Sequence, residues 1–437
     1  MKKLLFIALI ASLGACTGIE KQEADLGADY VRSKIHTEGT VIVDVRPDEA
    51  YNGWELKKDV EGGHIPGAVS FSTGWLSELT DNQKIQLLEE KGIARGSEVI
   101  IYSDYGKESL ELYQTLTSLG YEKVRNYEGG MKEWSMKGYE TAKMPNYSQL
   151  VYPEWLSELI SGGTPGNYDG RDYVVVNVNY ETHDNYLEGH IPGAIYIDTN
   201  EIESLPLWNI VSDEKLTKLF KNTGITKDTM IVIYSEEPMA AGRFAEVLMY
   251  AGVEDIRVLN GGFTAWRRAG YESETKENPW VEGEDFGAEI PLNPHYTIDM
   301  EEAKTLVEDS NGRLAAVISW DEYIGRNNGG YTYFSEKGRI PGAVFGHGGR
   351  DAYHSEDFVD PDGTMRSYTE IEKMWRDWDI ASENRVAFYC STGWRAGLAL
   401  FDAHLMGWKD ITVYDGGFYE WVQHPENEIG VGIPENK

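Results

Sequence analysis

Cysteine is scarce in this sequence: its 437 residues include only two, Cys16 and Cys390. Two cysteines permit at most one disulfide, so a scaffold held together by several disulfides is excluded. The histidines, for example His347 and His354, form no metal-ligand spacing with either cysteine, so we predict no metal site. Hydrophobic residues make up 41% of the chain, which is enough for several hydrophobic cores.

Positive charge is also in short supply. Lys and Arg number 40 against 73 Asp and Glu, and the formal net charge is −33. No basic stripe runs along the chain, and this excludes nucleic acid as a partner, because clustered Lys and Arg bind the phosphate backbone. The acidic excess also repels anionic substrates at long range, so an anion site would have to rely on local donors.

Long apolar runs and phosphate-binding glycine loops are lacking as well. Beyond the N-terminus no stretch reaches about eighteen apolar residues, so no transmembrane helix is expected there. No glycine-rich loop follows a first strand, so we expect no nucleotide cofactor and assign no cofactor of any other kind. At about 150 residues per domain, the length predicts two or three domains.

The N-terminus carries a short apolar segment that is typical of a signal peptide. Residues 1–15 begin with Lys2 and Lys3, continue through an apolar run and end in small residues. The string Leu13-Gly14-Ala15-Cys16 resembles the lipobox of bacterial lipoproteins. That resemblance implies that residues 1–15 are a cleaved lipoprotein signal peptide and that Cys16 is acylated. It also implies that the protein is exported to the cell envelope and is anchored to a membrane through this lipid. In a bacterium with two membranes, the non-acidic Thr17 would favour the outer membrane. With Cys16 assigned to lipid, Cys390 is left without a disulfide partner.

Three sequence units recur in the same order along the chain. The first is His-Ile-Pro-Gly-Ala or Arg-Ile-Pro-Gly-Ala, the second is an apolar strand ending in Tyr, and the third is a Gly-Gly pair followed by Trp. The Gly-Gly pair begins 26 residues after the residue that follows the strand Tyr in all three copies. Their positions are 64–68, 190–194 and 339–343 for the first unit, 99–102, 230–234 and 386–389 for the second, and 129–134, 261–266 and 416–421 for the third. Such regular spacing indicates a threefold internal repeat.

Each copy alternates β-rich runs with helical patterns, which is typical of an α/β fold with a mostly parallel sheet flanked by helices. The predicted strands include residues 40–45, 173–178 and 313–319, and the predicted helices include residues 110–119, 243–251 and 396–406. We place three tandem domains at residues 22–144, 147–275 and 294–434. The acidic, proline-containing stretch 274–294 is interpreted as the longer linker.

This ordered set of motifs resembles the rhodanese family of sulfurtransferases, over essentially the whole chain after residue 21. In that family the residue after the strand Tyr is the catalytic cysteine, and here the three copies hold Ser103, Ser235 and Cys390. The resemblance therefore implies three rhodanese-like domains, of which only the third is catalytic. It implies that Cys390 carries sulfur as a persulfide.

The loop after Cys390 has residues suited to holding an anion. Ligands of open α/β sheets bind at the carboxyl ends of the strands, and a helix N-terminus there presents backbone N–H groups. Such donors lower the pKa of a thiol and favour the nucleophilic thiolate. The candidate substrate-binding residues are Ser391, Thr392, Gly393, Trp394 and Arg395, the last as a fixed positive charge.

The corresponding loops of the first two copies are poor anion sites. Ser103 is followed by Asp104, and Ser235 is followed by Glu236, Glu237 and Pro238. Acidic side chains repel an anion, and proline removes a donor N–H. A serine nucleophile needs a neighbouring base, and the local sequence shows none. We therefore predict that the first two domains are inactive.

The predicted reaction moves sulfane sulfur from thiosulfate or a similar donor to an acceptor such as cyanide or a thiol. One alternative is a lipid-anchored sulfur or selenium carrier with little turnover. Another is a phosphatase or arsenate reductase, but the family signature of those enzymes has five residues between Cys and Arg, and Arg395 comes one residue too early.

The family's usual substrate-binding arginine is missing from this chain. It precedes a Tyr/Phe-x-Gly segment, and here Glu322 stands in that position before Tyr323. Arg326, Arg339, Arg350 and Arg366 are near enough in sequence to replace it. Among them Arg339 is the preferred candidate, because it occupies the position of a histidine in the other two copies. The choice between thiosulfate, mercaptopyruvate and polysulfide as donor stays open at this point.

Overall fold

The computed structural model describes residues 26–434. The predicted signal peptide and Cys16 lie outside the described residues. Within that range the chain forms three parallel sheets in succession, of four, five and five strands, with helices packed around them. The predicted α/β fold with three tandem domains is confirmed. Among the helices of this range, none is long and apolar enough to cross a membrane.

The first domain is built on a four-stranded sheet. Its elements in chain order are α1 (Ala28–Lys34), β1 (Thr40–Asp44), α2 (Asp48–Asn52), β2 (Val69–Ser70), α3 (Asp81–Glu90), β3 (Glu98–Tyr102), α4 (Ser109–Ser118), β4 (Val124–Tyr127) and α5 (Gly130–Met136). The strand order is β2-β1-β3-β4, and every pairing is parallel. The central strands β1 and β3 consist largely of Val and Ile, which suits strands that are covered by helices on both faces.

The second domain repeats this plan and adds an edge strand and a small antiparallel pair. Its elements are β5 (Leu150–Val151), α6 (Pro153–Ile160), β6 (Tyr173–Asn179), α7 (His183–Glu188), β7 (Ile195–Asp198), β8 (Glu203–Ser204), β9 (Asn209–Ile210), α8 (Asp213–Thr223), β10 (Met230–Tyr234), α9 (Pro238–Ala251), β11 (Asp255–Leu259) and α10 (Gly262–Arg268). The main sheet has the order β5-β11-β10-β6-β7. Helix α9 starts five residues earlier than the predicted helix, because Pro238 is well suited to a first helical turn.

The third domain has the same order of strands as the second. Its elements are β12 (Thr297–Ile298), α11 (Met300–Glu308), β13 (Gly312–Ala316), α12 (Trp320–Tyr323), β14 (Val344–Phe345), α13 (Tyr368–Arg376), β15 (Arg385–Tyr389), α14 (Trp394–Leu405), β16 (Ile411–Tyr414) and α15 (Gly417–Val422). The sheet order is β12-β16-β15-β13-β14, all parallel. Strand β15 therefore lies in the middle of the sheet, and its carboxyl end faces the region where ligands of such sheets bind.

A hydrogen bond explains why the Ile-Pro-Gly-Ala unit and the strand Tyr recur together. In each domain the backbone N–H of the Ile donates to the hydroxyl of the Tyr that ends the strand. The N–O distances are 3.0 Å for Ile65 and Tyr102, 3.1 Å for Ile191 and Tyr234, and 3.1 Å for Ile340 and Tyr389. The bond ties the turn to the end of the central strand, directly beside the position of the family's cysteine.

The Gly-Gly unit packs against the residue that follows the strand Tyr, which is Cys390 in the third domain. The second glycine has a φ of +55° to +56° in all three domains, a conformation that favours glycine. A Cβ on Gly417 would lie 2.5 Å from the carbonyl oxygen of Cys390. The following amide, of Phe418, donates to that same oxygen at 2.8 Å. The constant spacing of 26 residues thus reflects a turn that packs against the backbone of the residue after the strand Tyr, which is Cys390 in the third domain.

The second and third domains share one continuous hydrophobic core. Helices α9 and α14 cross at very close range, since a Cβ on Gly242 would lie 2.5 Å from the Cα of Leu398. The first domain has two cores of its own and contacts the third domain through polar groups. Lys91, with 1% of its side chain exposed, pairs with Asp360 at 2.9 Å and Glu370 at 2.7 Å. The three domains therefore pack against one another directly.

Candidate active site

Cys390 is the first residue after the central strand β15. The preceding residue, Tyr389, pairs with Ala316, the last residue of the neighbouring strand β13. Cys390 therefore lies at the edge of the sheet where the strands have their carboxyl ends. Helix α14 begins at Trp394, so three loop residues separate the cysteine from the helix. Cys390 is 1% exposed and is the free cysteine of the described range. The thiol is thus covered, yet it lies at the sheet edge and beside a helix N-terminus.

One loop amide donates to the thiol. The N–H of Gly393 lies 3.2 Å from Sγ of Cys390. Gly393 has a φ of +98°, which turns the loop so that its amide faces the sulfur. Within residues 26–434 this is the one hydrogen bond to that sulfur. The sequence pattern had indicated several converging amides, so the donor environment of the sulfur differs from the expectation.

Two tyrosine hydroxyls complete this environment, and no sequence motif had pointed to them. The Tyr331 phenol lies near the Ser391 side chain, and the Tyr333 phenol lies near the Thr392 side chain. Burial raises the pKa of both phenols, and negative charge on Cys390 adds to that effect. Both phenols therefore stay protonated at neutral pH, and both lie close enough to Cys390 to feel its charge.

These tyrosines belong to the aromatic segment, residues 331–334, which covers the cysteine loop. Its rings pack together, with centroid distances of 5.3 Å for Tyr331 and Tyr333 and 4.8 Å for Tyr333 and Tyr419. The space left beside Ser391 is a cavity of about 10 Å³. A signal in the sequence was available, since the third copy has a longer insertion before its Ile-Pro-Gly-Ala unit than the other two.

Arg395 does not present a free positive charge. Its guanidinium forms two hydrogen bonds of 2.9 Å with the carboxylate of Glu322, and both side chains are at most 5% exposed. The neighbouring guanidinium holds the pKa of Glu322 below its usual range against the effect of burial. The acid that replaces the family's substrate-binding arginine therefore neutralises the arginine of the loop. The prediction that Arg395 places a fixed positive charge near the anion stays a prediction, and the structure adds that this charge is paired with Glu322.

Arg339 has a structural role that is shared by its counterparts in the other domains. Its Nη1 donates to the carbonyl of Tyr323 at 3.0 Å, and its guanidinium stacks 4.5 Å over the Tyr323 ring. His64 contacts Tyr51 in the same way, with a Nδ1–O distance of 3.0 Å and a ring distance of 3.8 Å. Since the guanidinium of Arg339 is engaged with backbone carbonyls, this geometry does not support the prediction that Arg339 binds substrate.

Trp394 points to the second domain. Its indole N–H lies 2.8 Å and 3.0 Å from the two carboxylate oxygens of Glu203. The same carboxylate lies 3.5 Å from Arg243, which also pairs with Asp415 at 2.6 Å. Arg243 is fully buried, and a Cβ on Gly393 would lie 2.9 Å from its guanidinium carbon. The second domain thus contributes an arginine that packs directly behind the cysteine loop.

The corresponding loops of the other two domains differ from the cysteine loop in their donors. In the first domain the amide of Gly106 donates to the Ser103 hydroxyl at 2.9 Å, as Gly393 does to Cys390. The Ser103 hydroxyl donates to Glu108 at 2.8 Å, so a carboxylate does stand beside this serine, where the sequence had suggested no base. The pKa of Glu108 is lowered against the effect of burial, by its own backbone amide, Ser103 and Lys57. Such a carboxylate is a weak base.

In the second domain Pro238 occupies the position of Gly393 and has no N–H to donate. The Ser235 hydroxyl donates instead to the carbonyl of Glu237. The described residues also contain no group of three or more His, Cys, Asp or Glu side chains that could hold a metal ion. Of the three loops, only that of Cys390 combines a thiol with a facing amide.

Comparison with known proteins identifies the family. The model of the rhodanese-like domain matches the chain three times, at residues 27–137, 153–269 and 299–424. The chain therefore belongs to the rhodanese family. The predicted threefold repeat of rhodanese-like domains is confirmed.

Several relatives of known activity are similar over long stretches. Thiosulfate sulfurtransferase YnjE of Escherichia coli (strain K12) is 38% identical over 427 residues, which cover 97% of this chain and 96% of the relative. The sulfur carrier protein TtuD of Thermus thermophilus is 28% identical over 263 residues, covering 58% of this chain and 87% of the relative.

Solved structures of EanB superpose on nearly the whole chain. The wild-type EanB structure has a TM-score of 0.88 and 38% identity, covering 93% of this chain and 97% of EanB. Another, of a tyrosine-to-phenylalanine variant, contains a cysteine persulfide in a tetrahedral intermediate state with ergothioneine, with a TM-score of 0.89 and 37% identity over 93% of this chain and 99% of EanB. The predicted class of enzyme, a sulfurtransferase working through a persulfide, is confirmed.

Proposed function

We propose that Cys390 is the residue that carries the sulfur, and that the third domain performs the transfer. The observation that carries this proposal is the contact between the Gly393 N–H and the Cys390 sulfur, 3.2 Å long, at the carboxyl end of a central strand. A donor at this distance stabilises negative charge on the sulfur. The protonated phenols of Tyr331 and Tyr333, which lie near Cys390, support the same interpretation.

The proposed reaction has two steps. In the first, the Cys390 thiolate attacks the outer sulfur of thiosulfate, the S–S bond of the donor breaks, and sulfite leaves with the electron pair. In the second, cyanide or a thiolate attacks the outer sulfur of the persulfide, which releases thiocyanate or a new persulfide and restores the thiolate. Each step transfers one sulfur atom between nucleophiles, so no external oxidant or reductant is needed.

Within this proposal, neutral donors hold the charge on sulfur. Because Arg395 is paired with Glu322, its charge is already compensated before a substrate binds. The amide of Gly393 and the two phenols are then the local groups that stabilise the thiolate and the persulfide. Because the space beside Ser391 is about 10 Å³, we infer that the aromatic segment shifts to admit a donor.

The direct test is mass spectrometry of the purified protein after incubation with thiosulfate. We expect a gain of one sulfur atom on Cys390 in the wild type and none in Cys390→Ser, which should also lose thiocyanate formation by more than about a thousandfold. Ser103→Ala and Ser235→Ala are matched controls and should keep most of the activity. Full activity in Cys390→Ser would disprove the proposal. Turnover with excess donor and acceptor distinguishes the enzyme from a sulfur carrier, which would release one equivalent.

A second candidate acceptor is supported by the likeness to EanB, whose structures contain hercynine or ergothioneine. Hercynine carries a quaternary ammonium group, and a site whose arginine is neutralised by Glu322 does not repel that charge. We would incubate the protein with polysulfide and hercynine and measure ergothioneine by chromatography and mass spectrometry. Formation that depends on Cys390 would support this acceptor, and transfer to cyanide without any ergothioneine would rule it out.

The proposed location is the cell envelope, through a lipid on Cys16. The support is the sequence Leu13-Gly14-Ala15-Cys16 and the signal-peptide pattern before it. Expression in cells fed with a labelled fatty acid should label the wild type and leave Cys16→Ala unlabelled. Membrane fractionation of the same two proteins is the second readout, and equal labelling of both would refute the lipid anchor.

A further inference from the structure

A second cavity lies between the second and third domains, away from the cysteine. Its volume is about 280 Å³. The loop of Ser235, Glu236, Glu237 and Pro238 forms one side of it, so it lies at the place in the second domain that corresponds to the cysteine site of the third. Helices α9 and α14 form its inner wall, and residues of the segment 354–365 close it on the third-domain side.

Asp402 is the unusual residue of this cavity. It is 2% exposed, lines the cavity, and has no hydrogen-bond or ion-pair partner for its side chain among residues 26–434. Burial alone raises its pKa well above the usual value. An unpartnered carboxyl group in an apolar interior costs stability, and such groups in native proteins call for an explanation. A ligand that pairs with the carboxyl would provide one.

The surrounding side chains define the chemistry of that ligand. Asp402 shares one face of α14 with Leu398, Phe401 and Leu405, which together form an apolar wall. Ala241 and Pro238 of α9 extend this wall. A molecule that fills the inner part of the cavity must therefore be largely apolar.

The charged groups that line the cavity are nearly all acidic. Glu236 and Glu237 are exposed at its mouth, Glu356 lies on the third-domain side, and Asp402 lies inside. Among the described lining residues there is no Lys or Arg, and His354 is engaged with Asp351 at 2.5 Å. Acidic groups around an opening attract cations and repel anions such as thiosulfate.

We propose that this cavity binds a small organic cation, a primary ammonium group on an apolar body, with Asp402 as the counter-ion. The apolar part lies against Leu398, Phe401 and Leu405, and the ammonium group donates to the Asp402 carboxylate. The loop of the second domain that holds Ser235 in place of a cysteine thereby becomes part of a binding site for a different class of molecule. This proposal does not depend on the identity of the sulfur donor or acceptor.

The test uses three probes of similar size and shape: benzylammonium, benzyl alcohol and benzoate. Isothermal titration calorimetry on the full-length protein should show binding of benzylammonium, at least tenfold weaker binding of benzyl alcohol, and no binding of benzoate. In Asp402→Asn the affinity for benzylammonium should fall at least tenfold. The matched control Asp377→Asn, at an exposed position at the end of α13, should bind benzylammonium like the wild type.

A second variant keeps the proposal testable should Asp402→Asn fold poorly. Thr264 lines the cavity from an exposed position on α10, so Thr264→Trp narrows the opening without burying a new group. This variant should lose benzylammonium binding at least tenfold. The proposal is overturned when benzylammonium does not bind to the wild type, or when its binding is the same in Asp402→Asn and Thr264→Trp as in the wild type.

Discussion

At the residue scale, the pairing of Glu322 with Arg395 sets the electrostatic character of the active site. Glu322 has two functions at once: it caps α12 together with Ser319, and it accepts two hydrogen bonds from Arg395. Because the side chains of Glu322 and Arg395 are both buried, neither charge has water as an alternative partner. The loop arginine is therefore held in place by its pairing with Glu322, and it also donates to the carbonyl of Asp351.

Removal of one partner of this pair should be costly. We expect Glu322→Gln to lower the free energy of unfolding by about 3–5 kcal/mol, because it leaves the Arg395 charge buried without a counter-ion. Glu372→Gln is the matched control, since Glu372 forms an exposed pair with Arg376 at 3.0 Å and should cost less than about 1 kcal/mol. Guanidinium denaturation measures both, and equal small losses would contradict the buried-pair interpretation.

His64 gives the protein a pH dependence that also belongs to this scale. Burial lowers the pKa of His64 to about 4 from an ordinary value of 6.5. The unfolded chain thus takes up a proton on His64 at a higher pH than the folded protein does. The stability contributed by neutral His64 is complete above pH 6.5 and is lost as the pH falls from 6.5 to about 4.

The comparison of wild type with His64→Gln at pH 7 and pH 4.5 isolates this effect. On going to the lower pH, the wild type should lose about 2 kcal/mol more than the variant, given roughly 1.4 kcal/mol per pKa unit. Denaturation curves at both pH values provide the measurement. An equal loss in the two proteins would mean that His64 is not held neutral by the fold.

At the scale of elements, the crossing of α9 and α14 connects the second domain to the cysteine loop. Gly242 lies where the two helices touch, and a methyl group on this glycine would stand 2.5 Å from the Cα of Leu398. Helix α14 begins four residues after Cys390, so a displacement of this helix moves the loop. The helix crossing is consequently a part of the active-site scaffold.

We expect Gly242→Ala to cost about 1–3 kcal/mol, because the added methyl group forces the helices apart. Sulfur transfer should fall about tenfold or more, since the loop shifts with α14. Gly96→Ala is the control: a Cβ there meets no atom within 4 Å, and both stability and activity should stay within experimental error. Steady-state rates and thermal denaturation measure these effects. Unchanged activity in Gly242→Ala would show that the crossing of α9 and α14 does not position the cysteine loop.

At the scale of the whole molecule, the net charge of −33 acts on every anionic substrate. Thiosulfate approaches against this field, while hydrogen cyanide is uncharged at neutral pH. Added salt screens the repulsion. We therefore expect kcat/KM for thiosulfate to rise several-fold between about 10 mM and 200 mM sodium chloride, and kcat/KM for cyanide to stay constant. The two half-reactions of a persulfide enzyme are kinetically separate, so initial rates give both kcat/KM values. A kcat/KM for thiosulfate that falls as salt is added would instead indicate a local cationic site.

The domains of this molecule are also linked by buried charges, in addition to their shared core. Arg243 of the second domain, surrounded by Glu203, Glu246 and Asp415, packs against the loop of the third. Burial raises the pKa of Glu203 to about 7 and that of Glu246 to about 8, in opposition to the neighbouring arginine. The second domain, which has Ser235 in place of the thiol, thereby supports the cysteine loop of the third.

The sequence by itself determined the repeat, the fold and the position of the thiol. The spacing of 26 residues between the strand end and Gly-Gly can be read from the chain itself. It follows from contacts within one domain, such as the hydrogen bond from the Phe418 amide to the Cys390 carbonyl. Strand β15 and helix α14 could be located from their own composition and periodicity. The sequence also predicted that the Ser235 loop is a poorer anion site than the Cys390 loop, because Pro238 lacks the backbone N–H that Gly393 has.

Only the tertiary structure decided which groups surround the sulfur and which charges are free. Arg395 is neutralised by a residue 73 positions away, Arg339 is occupied by backbone carbonyls, and Tyr331 reaches the loop from an insertion. Asp402 is left without a partner by the way two domains pack. Partners that are distant in sequence are set by the packing of whole elements, and a local pattern carries no information about that packing.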